Sequence, residues 1–380
     1  MSSETETAET AAGGEPAPAA ETAAGEPAPA SDTAAVTPLA ALHRRLGGTP
    51  APAGAPVAVA GYGDFEAEYA ALRERAGLLD RWPVGRLRLT GEDRGRFLQG
   101  LITCDVAALE PGRGVYGFFT TIKGRILADA AVLATGDALL LELPPGVGAA
   151  VREHLSKYRI ADRVEFEPAD DLAPLTVAGP AAGEVLGVTL PEQPWSSAEV
   201  ELLGASVRVV RQGYLGVEGF TLWAPADRAE ELAAALLDGH PDRLSPVGHG
   251  AAETVRVEAG VPRFGADFDA ENFPQETGLD EEAVDYQKGC YLGQEVVARI
   301  HYRGGVNRGL RGLRLTPAGG AEPTPGVQLL QDGRPAGRLG SVVRSPAAGG
   351  WIGLSVLHQR AGEAGTVLEI EGGGHAEVRP

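Results

Sequence analysis

The sequence predicts an α+β fold, and three observations predict it. Between Val57 and about residue 305, segments with helical spacing of apolar residues alternate with short aliphatic and β-branched runs. From Leu310 onward, short strand-like runs alternate with Gly/Pro turns and no helical pattern appears, which indicates a separate all-β domain. The 380 residues are too many for one small core, and 43% hydrophobic with 22% charged residues is ordinary for a globular chain. Three parts follow: a tail and linker over 1–56, an α+β body over 57–305 and an all-β domain over 306–380.

Residues 1–35 repeat a Glu-Thr-Ala-Ala-Gly-Glu-Pro-Ala-Pro unit and lack aromatic and large aliphatic side chains. Such a segment buries too little surface to offset its ordering entropy, so it reads as a disordered acidic tail. A short helical turn is expected over 38–45, then a Pro/Ala/Gly linker over 49–56. The apolar spacing predicts a helix over 65–79, with Gly77 closing it. Strands are expected at 86–89, 115–121, 126–133 and 139–143, the middle pair joined by a hairpin turn at Lys123-Gly124. Helices are expected over 92–101 and 147–158. Further strands fall at 175–178, 207–211 and 220–223, an amphipathic helix at 226–237, and a helix at 251–259 that puts Val255 and Ala259 on one side.

The chain carries a formal charge of -19, and residues 1–35 contribute seven acids and no Lys or Arg. A body this acidic argues against broad nucleic-acid binding, although a local basic patch lies near residue 300. The start has neither a basic region nor an apolar core, so it does not read as a signal peptide. The most apolar window, about 130–151, is broken by Asp137, Glu142, Pro144 and Pro145, so no membrane span is expected and the default location is the cytoplasm. Two cysteines make neither a disulfide framework nor a four-thiolate iron–sulfur site. The seven histidines show no metal-ligand spacing, and no metal site is expected.

Gly112-Arg113-Gly114-Val115-Tyr116-Gly117 matches a dinucleotide fingerprint by letter only, because a turn precedes it and a strand, not a helix, follows. No P-loop and no Gly-x-Ser-x-Gly elbow is present. Cys104, among aliphatics, reads as a small buried hydrophobe.

Lys288-Gly289-Cys290-Tyr291-Leu292-Gly293-Gln294-Glu295 is different. It holds one of two cysteines and one of three lysines. Cationic neighbours (Lys288 before Cys290; Arg299, His301 and Arg303 after it) can lower a thiol's pKa, and flanking glycines allow a close ligand approach. The residues alone leave a reactive thiol and a structural turn equally open.

This octapeptide, followed by Val297-Ala298-Arg299 and Arg303-Gly304, resembles the signature of the YgfZ family of folate-binding proteins, relatives of the glycine-cleavage T-protein, an aminomethyltransferase. Gly77-Leu78-Leu79-Asp80, the 100–106 block, the 256–265 block and Pro274-Gln275-Glu276-Thr277-Gly278-Leu279 resemble other superfamily blocks. The resemblance implies a GcvT-like three-part architecture, with two interleaved α+β portions around a central hole and a C-terminal β-barrel-like domain. It implies tetrahydrofolate, or a one-carbon derivative, as ligand. It also implies a role in assembling or maintaining iron–sulfur proteins, with client or assembly proteins as partners. It makes Cys290 and Lys288 the candidate reactive residues, and Arg256, Glu218, Tyr116, Phe264, Gln294 and Arg299 the candidate ligand contacts. Arg256 would meet the glutamyl tail or else pair with Glu253 or Glu258; Phe264 would stack on the ligand or else sit in the core.

Two departures from the T-protein pattern count against aminomethyl transfer. In Gly124-Arg125-Ile126-Leu127-Ala128-Asp129, Ala128 takes the place of the first acid of an acidic pair and Asp129 matches the second. In Gly213-Tyr214-Leu215-Gly216-Val217-Glu218, Val217 replaces a ring-holding Glu, leaving Glu218 as its substitute. A folate-dependent one-carbon transferase and a non-catalytic scaffold are the alternative functions.

Overall fold

The computed structural model describes residues 36–380, so the acidic repeat lies outside the described residues. The fold is mixed α+β, built from two sheets and a C-terminal barrel. The first sheet is antiparallel in the order Gly114–Thr120, Ile126–Ala134, Leu139–Leu143, Gly85–Thr90, Glu165–Pro168. Helices Arg94–Gln99 and Gly148–Tyr158 cover one of its faces, where Leu89, Phe119, Val132, Leu141, Val151 and Leu155 form a core. Period-two alternation sends the other residues of these strands to the opposite face.

The second sheet runs Ser197–Leu202, Ala205–Arg211, Gly219–Pro225, Leu172–Ala178, Ala76–Asp80, Leu244–Pro246, with only the last pair parallel. Helices Ala40–Arg45, Ala182–Leu186 and Ala229–Gly239 pack on it through Leu42, Val185, Leu232 and Leu236. The two sheets meet through Leu133 and Leu140 on one side and Val210 and Trp223 on the other. The barrel closes as Arg308–Pro317, Gly374–Val378, Val367–Ile370, Gln328–Gln331, Arg334–Arg338, Gly350–His358 and back to the first strand, with Val342–Ser345 appended. Helix His249–Glu258 joins it to the body, placing Val257 against Val343, Ile352 and Leu354.

Several expectations need correction. The helix starting at Phe65 is capped by the Asp64 carboxylate, 3.0 Å from Ala67 N, but stops at Glu74. Gly77 lies inside the next strand. A Cβ there would sit 2.6 Å from Val247 and 2.7 Å from Leu72, so the glycine serves close helix–strand approach, not helix termination. The folded body also starts earlier than residue 57. Leu39 and Leu42 are buried in the second sheet's core, and Thr49–Pro50 pairs with Val59–Gly61 inside the expected linker.

Helix Gln294–Arg303 was not foreseen. It begins at a glycine rather than at a Ser, Thr or Asp cap, and Val297 is its single buried residue, so neither capping nor periodicity announces it.

Candidate functional site

Between the two sheets, helix His249–Glu258 and the 260–264 loop lies a cavity of about 560 Å³. Tyr116, Glu218, Arg256 and Phe264 line it, bringing together four predicted residues that are far apart in sequence. Cys290, Lys288, Gln294 and Arg299 do not line it.

The alternation of strand Ile126–Ala134 decides which acid the cavity sees. Ala128 is fully buried in the core beneath the helices, whereas Asp129 faces the cavity. The reading of Ala128 as a lost cavity acid is therefore overturned: the cavity keeps a carboxyl group, one residue later. Tyr116 donates from its hydroxyl to Asp129 Oδ2 at 2.6 Å, and Asp129 Oδ1 is buried with no hydrogen-bond partner. Burial pushes the Asp129 carboxyl up to about 6, against the Tyr116 hydrogen bond. Burial together with the neighbouring carboxylate pushes the Tyr116 hydroxyl well above its ordinary range. The Tyr116 ring stacks on Trp195, centroids 5.4 Å apart and planes 10° from parallel. Trp195 sits at φ 59°, a left-handed conformation unusual for a bulky residue, and its Nε1 donates to Glu282 at 2.7 Å. Phe264 packs edge-on against Phe268 at 5.8 Å, so it is part of the core and of the cavity wall at once.

The polar end of the cavity corrects the reading of Arg256 as the tail-binding residue. Its Nε and Nη2 donate to Glu253 at 3.0 and 2.6 Å, Nη1 to Asp267 at 2.8 Å and to Val261 O, and Nη2 to Ser341 at 2.5 Å. All five guanidinium N–H groups are engaged, so Arg256 ties its helix, the following loop and the barrel together. Burial opposes ionisation of Glu253, but the Arg256 and Arg263 guanidinium groups hold its carboxyl down at about 2. Arg263 has spare capacity at this end. It donates to Glu253 at 3.2 Å and Gly54 O at 3.3 Å, while its Nε is buried without a partner. Sequence reading missed Arg263 although it stands in the block quoted for Arg256. Arg81, also missed, lines the cavity with Glu142, to which it donates at 2.5 Å, lies over the Tyr214 ring at 3.9 Å, and leaves Nε unpartnered. Glu218 sits at the exposed mouth and pairs with Arg211 at 3.0 Å.

The octapeptide is seated elsewhere, against the Gly114–Thr120/Ile126–Ala134 hairpin. Thr120 donates to Leu292 O at 2.6 Å, and Leu292 N donates to Gly100 O at 3.0 Å. Gly293, at φ 84°, starts the Gln294–Arg303 helix; a Cβ there would run into Thr121 O and come within 2.8 Å of Thr120 Oγ1. Lys288 is not available to a substrate. Its Nζ donates to Gln99 O, Ile102 O and Cys104 O at 2.9, 2.7 and 2.6 Å, tying the last residue of helix Arg94–Gln99 to the loop that follows it. Burial lowers its ammonium to about 8. The expectation that Lys288 shapes the Cys290 field is corrected on this geometry. Gln294 reaches only Lys288 O, at 3.5 Å, and Arg299 is exposed on the helix; neither contacts the cavity. Cys290 is exposed, whereas Cys104 is buried under Gly117 with its thiol pushed up to about 12.

Two interleaved α+β sheets around a cavity, followed by a closed barrel, define a GcvT-like fold. The chain superposes on the glycine cleavage system aminomethyltransferase T from Bartonella henselae with a TM-score of 0.79, covering 90% of this chain and 96% of that one at 22% identity, which is a likeness of fold. The family described as GCVT N-terminal domain matches residues 60–288, and the chain belongs to that family. Among curated relatives, the aminomethyltransferase of Bacillus subtilis (strain 168) is 28% identical over 88% of this chain and 94% of its own length. That of Geobacillus kaustophilus (strain HTA426) is 30% identical over 88% and 93%. Among the described residues, no helix is long and apolar enough to cross a membrane, and no group of three or more His, Cys, Asp or Glu side chains is placed to hold a metal.

Proposed function

We propose that this protein binds tetrahydrofolate, or a one-carbon derivative of it, in the inter-sheet cavity. In the same proposal it is of the YgfZ type within its family and supports assembly or maintenance of iron–sulfur proteins in the cytoplasm through Cys290. One observation carries the ligand reading. Asp129 Oδ1 is a buried acceptor without a partner in a cavity walled by Tyr116, Trp195 and Phe264, with Arg263 Nε an unpartnered buried donor. A reduced pterin supplies N–H donors to a carboxyl group, its ring systems suit aromatic walls, and its glutamyl tail suits a guanidinium. The iron–sulfur role rests on the 288–295 octapeptide and on Cys290 being exposed.

The test is calorimetric titration of tetrahydrofolate into wild type and Asp129→Asn. Binding weakened about tenfold or more by the variant is expected, from loss of a buried charge-assisted contact; no heat with wild type at millimolar ligand removes the ligand claim. For the second part, a Cys290→Ser variant that fully supports iron–sulfur enzyme activity in a deletion strain removes the thiol claim.

Aminomethyl transfer remains as a second reading because a specific observation favours it. The cavity holds an acid at about 6, able to carry or release a proton near neutrality. Formation of methylene-tetrahydrofolate from an aminomethyl donor by wild type but not by Asp129→Asn supports it, and equal rates for both discard it.

A further inference from the structure

We propose that the surface around helix Gln294–Arg303 docks an acidic segment of a partner protein. The helix has ten residues and buries Val297 alone, and Glu295, Arg299, His301, Tyr302 and Arg303 are exposed. Glu295, Arg299 and Arg303 follow at i, i+4 spacing along one line, and Tyr302, three residues from Arg299, is 65% exposed. The hairpin tip extends this face. Thr121 and Gly124 touch the first turn of the helix, and between them Ile122 is 74% exposed beside the exposed Lys123. Tyr286 stacks on His301 of the helix, centroids 3.6 Å apart, and Tyr302 meets the His301 ring edge-on at 4.7 Å.

Charge decides the partner. The chain carries -19, yet Arg299, Arg303 and Lys123 make no ion pair among the described residues, and Glu295 is the single acid of the helix. Arginine and tyrosine around an exposed aliphatic are the composition of protein-interface anchors. An extended nucleic acid fits less well, because it needs a run of cations along its backbone, and this face offers Arg299, Arg303 and Lys123 around an exposed aliphatic and tyrosine. Arg299 and Arg303 stand roughly 8 and 14 Å along the helix axis from its start, so at low salt their field reaches Cys290.

This inference is independent of what fills the cavity; it uses Cys290 only as a reporter. Short synthetic peptides, each with a central Cys activated as its thionitrobenzoate disulfide, are offered to the full-length protein. Their flanks are Glu/Leu/Tyr, Ser/Leu/Tyr or Lys/Leu/Tyr. The Cys290 thiolate attacks the peptide sulfur, a peptide–protein disulfide forms, and thionitrobenzoate leaves as the measured chromophore. The acidic peptide is expected to react about tenfold faster than the neutral one at low salt, and the lysine peptide more slowly. Arg299→Glu with Arg303→Glu is expected to reverse that order. Cys290→Ser must abolish the reaction, and fluorescence anisotropy of the labelled acidic peptide on that variant reads docking without chemistry. Equal rates for the three peptides, or no effect of charge reversal in a variant whose circular dichroism is unchanged, overturns the proposal. So does a short single-stranded RNA that displaces the acidic peptide at lower concentration than a charge-matched peptide does. Tetrahydrofolate calorimetry on the same variants is unaffected in every case, which separates failure here from failure of the ligand reading.

Discussion

The inter-sheet cavity and the Cys290 turn use charged residues in opposite ways. The cavity is assembled from residues between Pro56 and Leu310 that share no motif, and it keeps buried polar atoms in reserve: Asp129 Oδ1, Arg263 Nε, Arg81 Nε. The turn is eight consecutive residues, and the ones that give it its chemical look are already engaged. Lys288 is tied to three carbonyls, and Gly293 is required by the backbone it sits against. The thiol of Cys290 is what the turn leaves over. Contiguity makes a motif visible, but it does not separate the residues that seat a turn from the residue the turn presents.

The sharpest way to break this contrast is Arg256. If it ties the body together as described, Arg256→Met strands the Glu253 and Asp267 carboxylates in a buried site. Loss of about 3–5 kcal/mol of stability is expected, read from the urea unfolding midpoint or from insoluble expression. A variant that folds normally and has lost only ligand binding would return Arg256 to the role the sequence assigned it.

Asp129 comes next, and the sign of its pH dependence follows from burial. Its carboxyl is at about 6 in the folded protein against an ordinary 3.8. Between those values the folded state binds more protons than the unfolded chain. The contribution is fully present below the unfolded value and is lost as pH rises, by ~3 kcal/mol in all. Asp129→Asn removes that slope and is expected to be more stable than wild type by ~1–3 kcal/mol at neutral pH while binding tetrahydrofolate more weakly. Denaturant midpoints taken between about pH 4 and pH 7 test this. A wild-type profile that rises across the window means Asp129 is ionised and solvated, and the cavity is not the one described.

How much could be read in advance depended on the distance between the residues concerned. The alternating runs at 86–89, 126–133 and 139–143 and the hairpin at Lys123-Gly124 were legible because strand periodicity and turn chemistry are local. The edge strand Ser197–Leu202 was not, because its apolar positions are only Ala198, Val200 and Leu202, interleaved with Ser197, Glu199 and Glu201. In the site, Tyr116, Glu218 and Phe264 were named, but which of Ala128 and Asp129 faces the cavity depends on which face the helices cover. That is a tertiary fact with no local signal. Lys288 misled for the same reason: its partners are carbonyls 184 to 189 residues away, and a lysine beside a cysteine looks the same whichever way it points.

Lys288→Met therefore sharpens the contrast at moderate cost. Three charge-assisted bonds to the carbonyls of Gln99, Ile102 and Cys104 are lost, but the hydrophobic stem is kept, so a fall of about 1–3 kcal/mol is expected. The reaction of Cys290 with a neutral thiol reagent should stay within about twofold of wild type, because the ammonium is turned into the body. A tenfold drop in that rate, with stability unchanged, would put Lys288 back beside the thiol.

The smallest expected effect is the most discriminating. Cys290→Ser removes an exposed side chain that no hydrogen bond or core contact holds, so stability should move by less than about 0.5 kcal/mol. In the native protein one thiol should titrate rapidly and the other only on unfolding, since Cys104 is buried beneath Gly117 with its thiol pushed up to about 12. Cys290→Ser should leave no rapidly titrating thiol, and Cys104→Ala should leave one. If instead Cys290→Ser destabilises by as much as Lys288→Met, the thiol is one more seating residue. The turn would then present no reactive group, and whatever chemistry the protein performs would have to reside in the cavity with Asp129.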